Sequence, residues 1–229
     1  MPKKPRPQKE VEAFKGEIVE HAVELIQKHG MEGLTMRRLA DRLGVRAVTI
    51  YSYYESKDHL YLAVLTKGFQ LLYDDCRAAY NSETGHLARL EAMMRAYLDF
   101  GVHKSNFYNL MFTWHVPKYR DYVDTPMEPA ARHELFESQK VYLFFIEAVK
   151  ELAEGVRPIT DDEARELIIY FWSTLHGYIA GTNNNLLNYM HESPGDLKEI
   201  ILENLFSHMR RVLEEAASSH DRDNRREEE

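Results

Sequence analysis

The stretch LTMRRLADRLGVRAVTIYSYYESKDHL, Leu34 to Leu60, places two short apolar patterns on either side of Gly44. Thr35 stands where a helix needs an N-cap, because its hydroxyl can accept from an orphan backbone N–H. Leu39, Ala40 and Leu43 then face one way, and Gly44 ends the helix after about two turns. Val45 to Tyr53 reads as a second short helix, and Ser56 as the cap of a longer one. Two short helices joined by a tight glycine turn are a helix-turn-helix pattern. Leu39, Ala40, Leu43, Val45 and Ile50 would form its small shared core, with Ala40 permitting close approach.

The segment carries an unusual load of tyrosine: Tyr51, Tyr53 and Tyr54 lie within four residues. The expected division is Tyr54 inward as core and Tyr51 and Tyr53 outward. The outward face of the second helix then holds Arg46, Ala47, Thr49, Ser52 and Tyr53. Such a face suits a DNA major groove, where arginine can fork onto guanine and small apolar groups such as Ala47 and Val48 can touch a thymine methyl. Hydroxyls on Thr49, Tyr51 and Ser52 can bond phosphate oxygens, which position a helix without reading sequence. Lys57 opens the next helix, where its charge and the free N–H groups together favour a phosphate. The competing reading is a small helical hairpin with surface tyrosines.

The charge distribution bears on the choice. The chain of 229 residues has a net charge of −8. Residues 1–67 hold 12 Lys+Arg against 9 Asp+Glu, a net of +3, and the remainder holds 17 against 28, a net of −11. A basic first third on an acidic body suggests a local anionic partner. Lys3, Lys4, Arg6 and Lys9 add a cationic, proline-interrupted arm that could follow a minor groove; a solubilising tail is the other reading.

Beyond residue 60 the sequence is helical in period, with no convincing alternating strand. Helices are expected near 57–80, 86–103, 105–115, 127–153, 161–189 and 195–217. Val11 to His29 is expected to bury Phe14, Ile18, Ala22, Leu25 and Ile26, with Gly30 as a left-handed C-terminal cap. Thr125 with Glu128 and Thr160 with Glu163 fit the S/T-x-x-E capping box, and Ser193-Pro194 places a cap before a proline. Prolines 117, 126 and 129 break up a linker near 116–126. The polar tail SSHDRDNRREEE reads as disordered. TNNNLLN, Thr182 to Asn188, is odd for a helix; a helix end, a polar patch at a dimer interface and a pocket wall all fit it. The domain division expected is 1–62, 63–217 and a tail at 218–229.

The segment Gly33 to Leu65 resembles the DNA-binding domain of the TetR family of bacterial transcriptional regulators. The matching residues are Thr35, Gly44, Val45, Thr49, Tyr51, Tyr53, Tyr54, Ser56, Lys57, Asp58 and Leu60, with Ile50 for the usual leucine and Tyr54 for the usual phenylalanine. The resemblance implies phosphate roles for Thr35, Thr49, Tyr51 and Lys57 and a base contact from Arg37. Arg46, Ala47 and Val48 fall where the family varies. WSTLHG, Trp172 to Gly177, and SNFYNLMF, Ser105 to Phe112, resemble the Trp/His-Gly type of C-terminal domain in that family. That likeness implies an all-helical body that encloses a ligand cavity and dimerises through its last two helices.

The residues of that body agree in part. The helix from Glu163 to Asn188 is too broadly apolar to bury only one face. The last helix carries Leu202, Leu205, Phe206, Met209 and Leu213 at helical spacing, expected to pack against a symmetry mate and the Trp172 helix. Tyr97, Phe100, Phe107, Met111, Trp114, Tyr142, Phe145, Trp172 and His176 are placed near an effector pocket, expected to be mainly apolar with few inward charges. His176 reads either as a ligand contact or as a core histidine bonded to a backbone carbonyl. The guest expected is a neutral or cationic hydrophobic compound.

Catalytic and metal constellations are poor. There is no H-E-x-x-H, and HELFE at His133 lacks the second histidine. There is no cysteine cluster, no G-x-S-x-G and no glycine-rich phosphate loop; Asp99 and His103 share a helix face but two groups do not make a site. Neither metal nor cofactor is expected. The single cysteine, Cys76, fits a reducing compartment and a place in or at the edge of the core. The longest apolar runs are far short of the roughly 20 residues of a membrane helix, and the N-terminus lacks the apolar run of a signal peptide. The reading is an all-α, two-domain, cytoplasmic, homodimeric regulator, a repressor released from a palindromic double-stranded operator by a small effector. The alternatives are an activator of the same family, a helical-bundle enzyme and an adaptor that binds only protein.

Overall fold

Local chemistry sets the helix starts. In the computed structural model, which describes residues 7–113 and 116–227, the Thr35 hydroxyl accepts from the Arg38 amide at 3.2 Å. That cap opens α2, Met36–Leu43, after α1, Gln8–Gly33. Gly44 takes φ 66°, ψ 27°, a left-handed conformation that a side chain resists. Its amide and that of Val45 return to Asp41 and Ala40, and α3, Ala47–Tyr51, follows. The Ser56 hydroxyl accepts from the His59 amide at 3.0 Å and starts α4, Lys57–Ser82. Next come α5, His86–His103, and α6, Ser105–Tyr108, which widens into a π-helical turn over Asn109–Thr113. A 3-10 turn at Tyr119–Tyr122 precedes α7, Glu128–Glu154; α8, Asp161–Asn183, and α9, Leu197–Glu227, complete the chain. All regular elements among the described residues are helical.

The chain forms two compact units: residues up to Leu71 with Asn106–Ser138, and Leu72–Ser105 with Gln139 onward. This division at Leu71 and the boundary expected after residue 62 both fall inside α4. In the first unit Ile18, Ala22, Leu34, Leu39, Ile50 and Leu60 are fully buried. Phe107 and Met111 lie against α4 at Gly68, where an added Cβ would come within 2.7 Å of the Met111 sulfur.

In the second unit α5 and α8 meet at Gly101, where a Cβ would lie 2.5 Å from Ile179 Cδ1. Asn183 Nδ2 donates to the Gly101 carbonyl at 3.0 Å and closes the same contact. Glu199 pairs with Arg95 at 2.6 Å and Lys198 with Asp99 at 2.6 Å, which ties α9 to α5. Cys76 is fully buried, its thiol 3.8 Å from the Met93 carbonyl.

Several expectations are corrected. Gly30 has the expected positive φ of 65°, but the helical turn resumes beyond it, so it kinks α1 instead of capping it. The helix expected to reach residue 189 ends at Asn183. Asn184 donates back to Ala180 at 3.1 Å, and Asn185 sits at φ 56°, a left-handed region that asparagine tolerates. TNNNLLN is thus a helix end. Ser193 makes no side-chain cap bond; Pro194–Asp196 is a separate 3-10 turn. Thr125 accepts from Met127 while Glu128 accepts from Asp124, so the reciprocal box expected there is displaced. The helix α9 continues to Glu227 over the stretch expected to be disordered, where no glycine or proline interrupts its propagation. The cationic arm at residues 1–6 lies outside the described residues.

The box at Thr160 and Glu163 is complete: Glu163 accepts from the Thr160 amide at 2.7 Å and donates its own amide to the Thr160 hydroxyl at 3.2 Å. Arg157 donates to the same carboxylate at 2.5 Å. This guanidinium, with the Thr160 amide, holds the Glu163 pKa down at about 2, against 4.5 for an ordinary glutamate. A depressed folded-state pKa stabilises above the unfolded value. The contribution is therefore full above about pH 4.5 and lost as pH falls toward about 2. Glu163→Gln should lower the melting temperature at neutral pH and show a shallower loss below about pH 4.5, read by thermal melts of both proteins across that range.

Candidate nucleic-acid interface

The face presented by α2 and α3 follows from what Gly44 and Ile50 fix. Met36, Leu39, Ala40 and Ile50 are buried between the helices. What remains outward is Thr35, Arg37, Arg46, Val48, Tyr51 and Ser52, with Ala47, Thr49, Tyr53 and Lys57 half-buried. Val48 is 69% and Tyr51 49% exposed, large values for apolar and aromatic side chains. Tyr54 is the inward tyrosine: its hydroxyl donates to the Lys15 carbonyl at 3.4 Å and its ring meets His59 edge-on. Burial, with Glu12's charge, pushes the Tyr54 phenol up to about 12.

Two of the expected outward groups are otherwise engaged. Tyr53 packs edge-on against Phe14 of α1 at 5.1 Å, so its ring braces the motif. Ser52 donates its hydroxyl proton to the Thr49 carbonyl at 2.7 Å. A phosphate oxygen only accepts, so Ser52 has no proton left for it while that bond stands. Arg42, exposed on α2, is also engaged: it pairs with Glu24 and donates to His21 Nδ1 at 3.1 Å, fastening α2 to α1. The Glu24 carboxyl is held below its ordinary range by that guanidinium. Arg37 and Arg46 are exposed as well, and Arg38, also exposed, donates to the Gly33 carbonyl at 3.5 Å.

The residues placed near an effector pocket are divided between the two units. Tyr97 and Phe100 are buried on α5, and Phe145 meets Tyr97 edge-on at 6.0 Å. Phe107 and Met111 belong to the first unit, at Gly68. Tyr142 and Trp172 are 37% and 40% exposed, which corrects their inward assignment. Helical spacing identifies an apolar face but not which of two apolar faces is covered. His176 stacks on Trp172 at 4.9 Å and 18°, and burial lowers its pKa. Trp114 lies outside the described residues. Of the charged side chains among the described residues, Glu137 is buried at 6% exposure, and burial pushes the Glu134 carboxyl up to about 7 against the lowering effect of Lys118.

The stripe expected to form the dimer interface is used within the chain. Leu202, Leu205, Phe206, Met209 and Leu213 are all buried, none above 5% exposed. The apolar side chains left uncovered near them are Ile169, Tyr170 and Trp172 of α8 and Ile200 of α9.

Comparison with known proteins bears on this arrangement. Residues 18–64, which hold all of α2 and α3, match the family described as bacterial regulatory proteins, tetR family. Residues 90–205 match the tetracyclin repressor-like C-terminal domain. The chain belongs to the TetR family. Its regulators are not enzymes, and the enzyme alternative is set aside with that assignment. The C-terminal match covers WSTLHG without naming a Trp/His-Gly type.

Among its relatives, the transcriptional activator FasR of Mycolicibacterium smegmatis is 34% identical over 116 residues, 51% of this chain and 50% of that protein. The tetracycline repressor protein class C of Escherichia coli is 45% identical over 53 residues, 21% of this chain and 24% of that protein. The chain thus spans half or less of the length of these two relatives. A solved structure, the putative regulatory protein SCO4313, superposes with a TM-score of 0.70 at 22% identity, covering 89% of this chain and 100% of that one. This last likeness is one of fold, and it runs over nearly the whole chain. No helix among the described residues is long and apolar enough to cross a membrane.

Proposed function

We propose that this TetR-family chain is a DNA-binding transcriptional regulator that works in the cytoplasm as a homodimer and answers a small effector. The observation that carries the DNA reading is the exposed face of Arg37, Arg46, Val48 and Tyr51 on a rigidly capped helix-turn-helix. Arg37 and Arg46 are the base-reading candidates. Thr35, Thr49, Tyr51 and Lys57 position the motif on phosphates, and Ala47 and Val48 offer apolar contact to thymine. Tyr53 braces the motif against Phe14, and the exposed Ser52 bonds back to the Thr49 carbonyl.

Dimerisation is supported by the uncovered apolar side chains of α8. Ile169, Trp172 and His176 recur at helical spacing, and Gly177 and Ala180 continue the strip with small residues that allow a second helix close. A twofold dimer would present two α3 helices to successive major grooves about 34–36 Å apart, which favours a palindromic operator. Repression is the working reading. The activator alternative keeps its place because the longer of the two matches above is to an activator, whereas the match to a repressor is confined to 53 residues.

Genome-wide mapping of bound DNA, followed by gel shifts on the recovered sites, tests the regulator reading directly. On such a site Tyr51→Phe and Lys57→Ala should weaken all sequences about equally, and Lys57→Ala should reduce the salt slope by about one. Arg37→Ala or Arg46→Ala should cost about 1–3 kcal/mol at particular base pairs and relax preference there. Unchanged affinity in all four variants would remove α2 and α3 from the interface.

A further inference from the structure

The start of α4 is closed by a side chain that a capping box does not ordinarily use. In such a box the acidic or amide side chain at the third helical position reaches back to an orphan backbone N–H, as Glu163 does at Thr160. After Ser56 that third position holds His59. The His59 amide donates to the Ser56 hydroxyl oxygen at 3.0 Å, and the Glu55 amide donates to His59 Nδ1 at 3.3 Å. An imidazole stands where a carboxylate would.

The exchange brings in a proton. A backbone amide only donates, so Nδ1 must offer a lone pair and the ring proton sits on Nε2. An imidazolium carries N–H on both nitrogens, and the Glu55 amide then meets a second donor. Histidine is the side chain that makes this change between about pH 5 and 8. Positive charge in a first turn also opposes the helix dipole. The charged groups beside the ring are Glu55 in the turn and Lys57 and Asp58 on α4 itself. Tyr54 presents its ring edge-on at 5.4 Å, and its hydroxyl donates to the Lys15 carbonyl of α1, where Glu12 supplies the nearby charge. From α7 the contact at Ser56 is the uncharged thioether of Met127, at 3.5 Å.

Glu55 and Ser56 are the two residues between Tyr54, which is anchored on α1, and Lys57, which opens α4. The bond to His59 therefore fixes the direction in which the first turn of α4 leaves the helix-turn-helix. With the bond open, that turn and Lys57 are free to swing.

We propose that His59 is a positioning residue for DNA binding: its neutral form closes the cap that aims Lys57 and the first turn of α4 at a phosphate, and its protonation weakens operator binding. The proposal rests on the DNA reading of α4 given above. His59 acts through the Glu55 amide and needs no contact with DNA.

Gel shifts on a mapped site at pH 8 and pH 5.5, at one ionic strength, compare wild type, His59→Gln and His59→Leu. The chain has eleven histidines, so the decisive quantity is the difference between wild type and His59→Gln. Glutamine is a capping-box residue whose amide oxygen accepts at both pH values. His59→Gln should bind like wild type at pH 8. On going to pH 5.5 the wild type should lose about three- to tenfold more affinity per bound motif than His59→Gln, the loss expected for one hydrogen bond. His59→Leu should be weaker at pH 8 by a similar factor, and equally so on all sequences, because a phosphate contact reads none. In the free protein the Glu55 amide resonance should move as the His59 ring titrates and stay still in His59→Gln. A cap that served folding alone would change the thermal melts of the three proteins and leave the affinity of the folded protein unaltered. Equal pH dependence in wild type and His59→Gln, wild-type affinity in His59→Leu, or a Glu55 amide indifferent to His59 would each overturn the proposal and leave the regulator reading in place. A wild-type protein that binds no mapped site at pH 8 would overturn that reading, and this proposal with it.

Discussion

Ile169→Glu and Trp172→Glu should yield folded monomers that have lost about 10²-fold or more in operator affinity, because one bound motif no longer delivers the second. Both side chains are exposed on α8, so a carboxylate there meets water in the single chain and a like charge in an isologous interface. Leu205→Glu is the contrasting variant. Leu205 is 3% exposed within its own chain, and a lone charge in that place unfolds the second unit before it tests any interface. Sedimentation and gel shifts on purified variants distinguish the two outcomes. A Trp172→Glu protein that remains dimeric would move the interface off this face of α8, with the exposed Leu143 side of α7 as the next place to look.

Gly101→Val should be among the most damaging single substitutions in the chain, at about 3 kcal/mol or more. A Cβ at Gly101 falls 2.5–2.9 Å from three carbons of Ile179, itself fully buried, so neither helix can yield without opening the contact. The shift also pulls the Gly101 carbonyl from Asn183 and loosens the end of α8. Ile179→Ala leaves a cavity and destabilises on its own. The double variant Gly101→Ala/Ile179→Ala should be more stable than the sum of its parts, with a coupling of about 1 kcal/mol or more. Denaturant midpoints measure all three. Wild-type stability in Gly101→Ala alone would show that α5 and α8 are less tightly apposed than described.

What the sequence made legible was local. Thr35, Gly44 and Ser56 act on backbone groups within four residues of themselves, so their roles could be read from spacing and are found in place. Tyr54 inward and Tyr51 outward follow from helical period. Tyr53 was misread because its partner, Phe14, lies on another helix, and no short window contains both. The Leu202 to Leu213 stripe was recognised as apolar, but periodicity identifies a face and says nothing of what covers it. On the helix of Trp172 the face of Leu167, Ile168, Phe171, Leu175, Tyr178 and Ile179 is buried as its spacing suggests, while Tyr170 and Trp172 stay exposed. The bias in the first third toward positive charge was visible; which arginines folding would pair was not, since Arg42 is committed to Glu24 and His21 of another helix.

Cys76 makes the second unit its own clock. The thiol is the only one in the chain, lies at 0% exposure against the Met93 carbonyl, and is held protonated by burial. The thiolate is the nucleophile that attacks peroxide or an aromatic disulfide, and a buried, protonated thiol offers such a reagent neither that form nor a path to it while α4 and α5 stay packed. Labelling then waits on opening. With reagent in excess its rate becomes the rate at which that packing comes apart, and with reagent scarce it reports how often the open form is visited. The protein thereby carries a single-residue gauge of its own breathing, one that needs no engineered probe and stays silent until the helices around it separate.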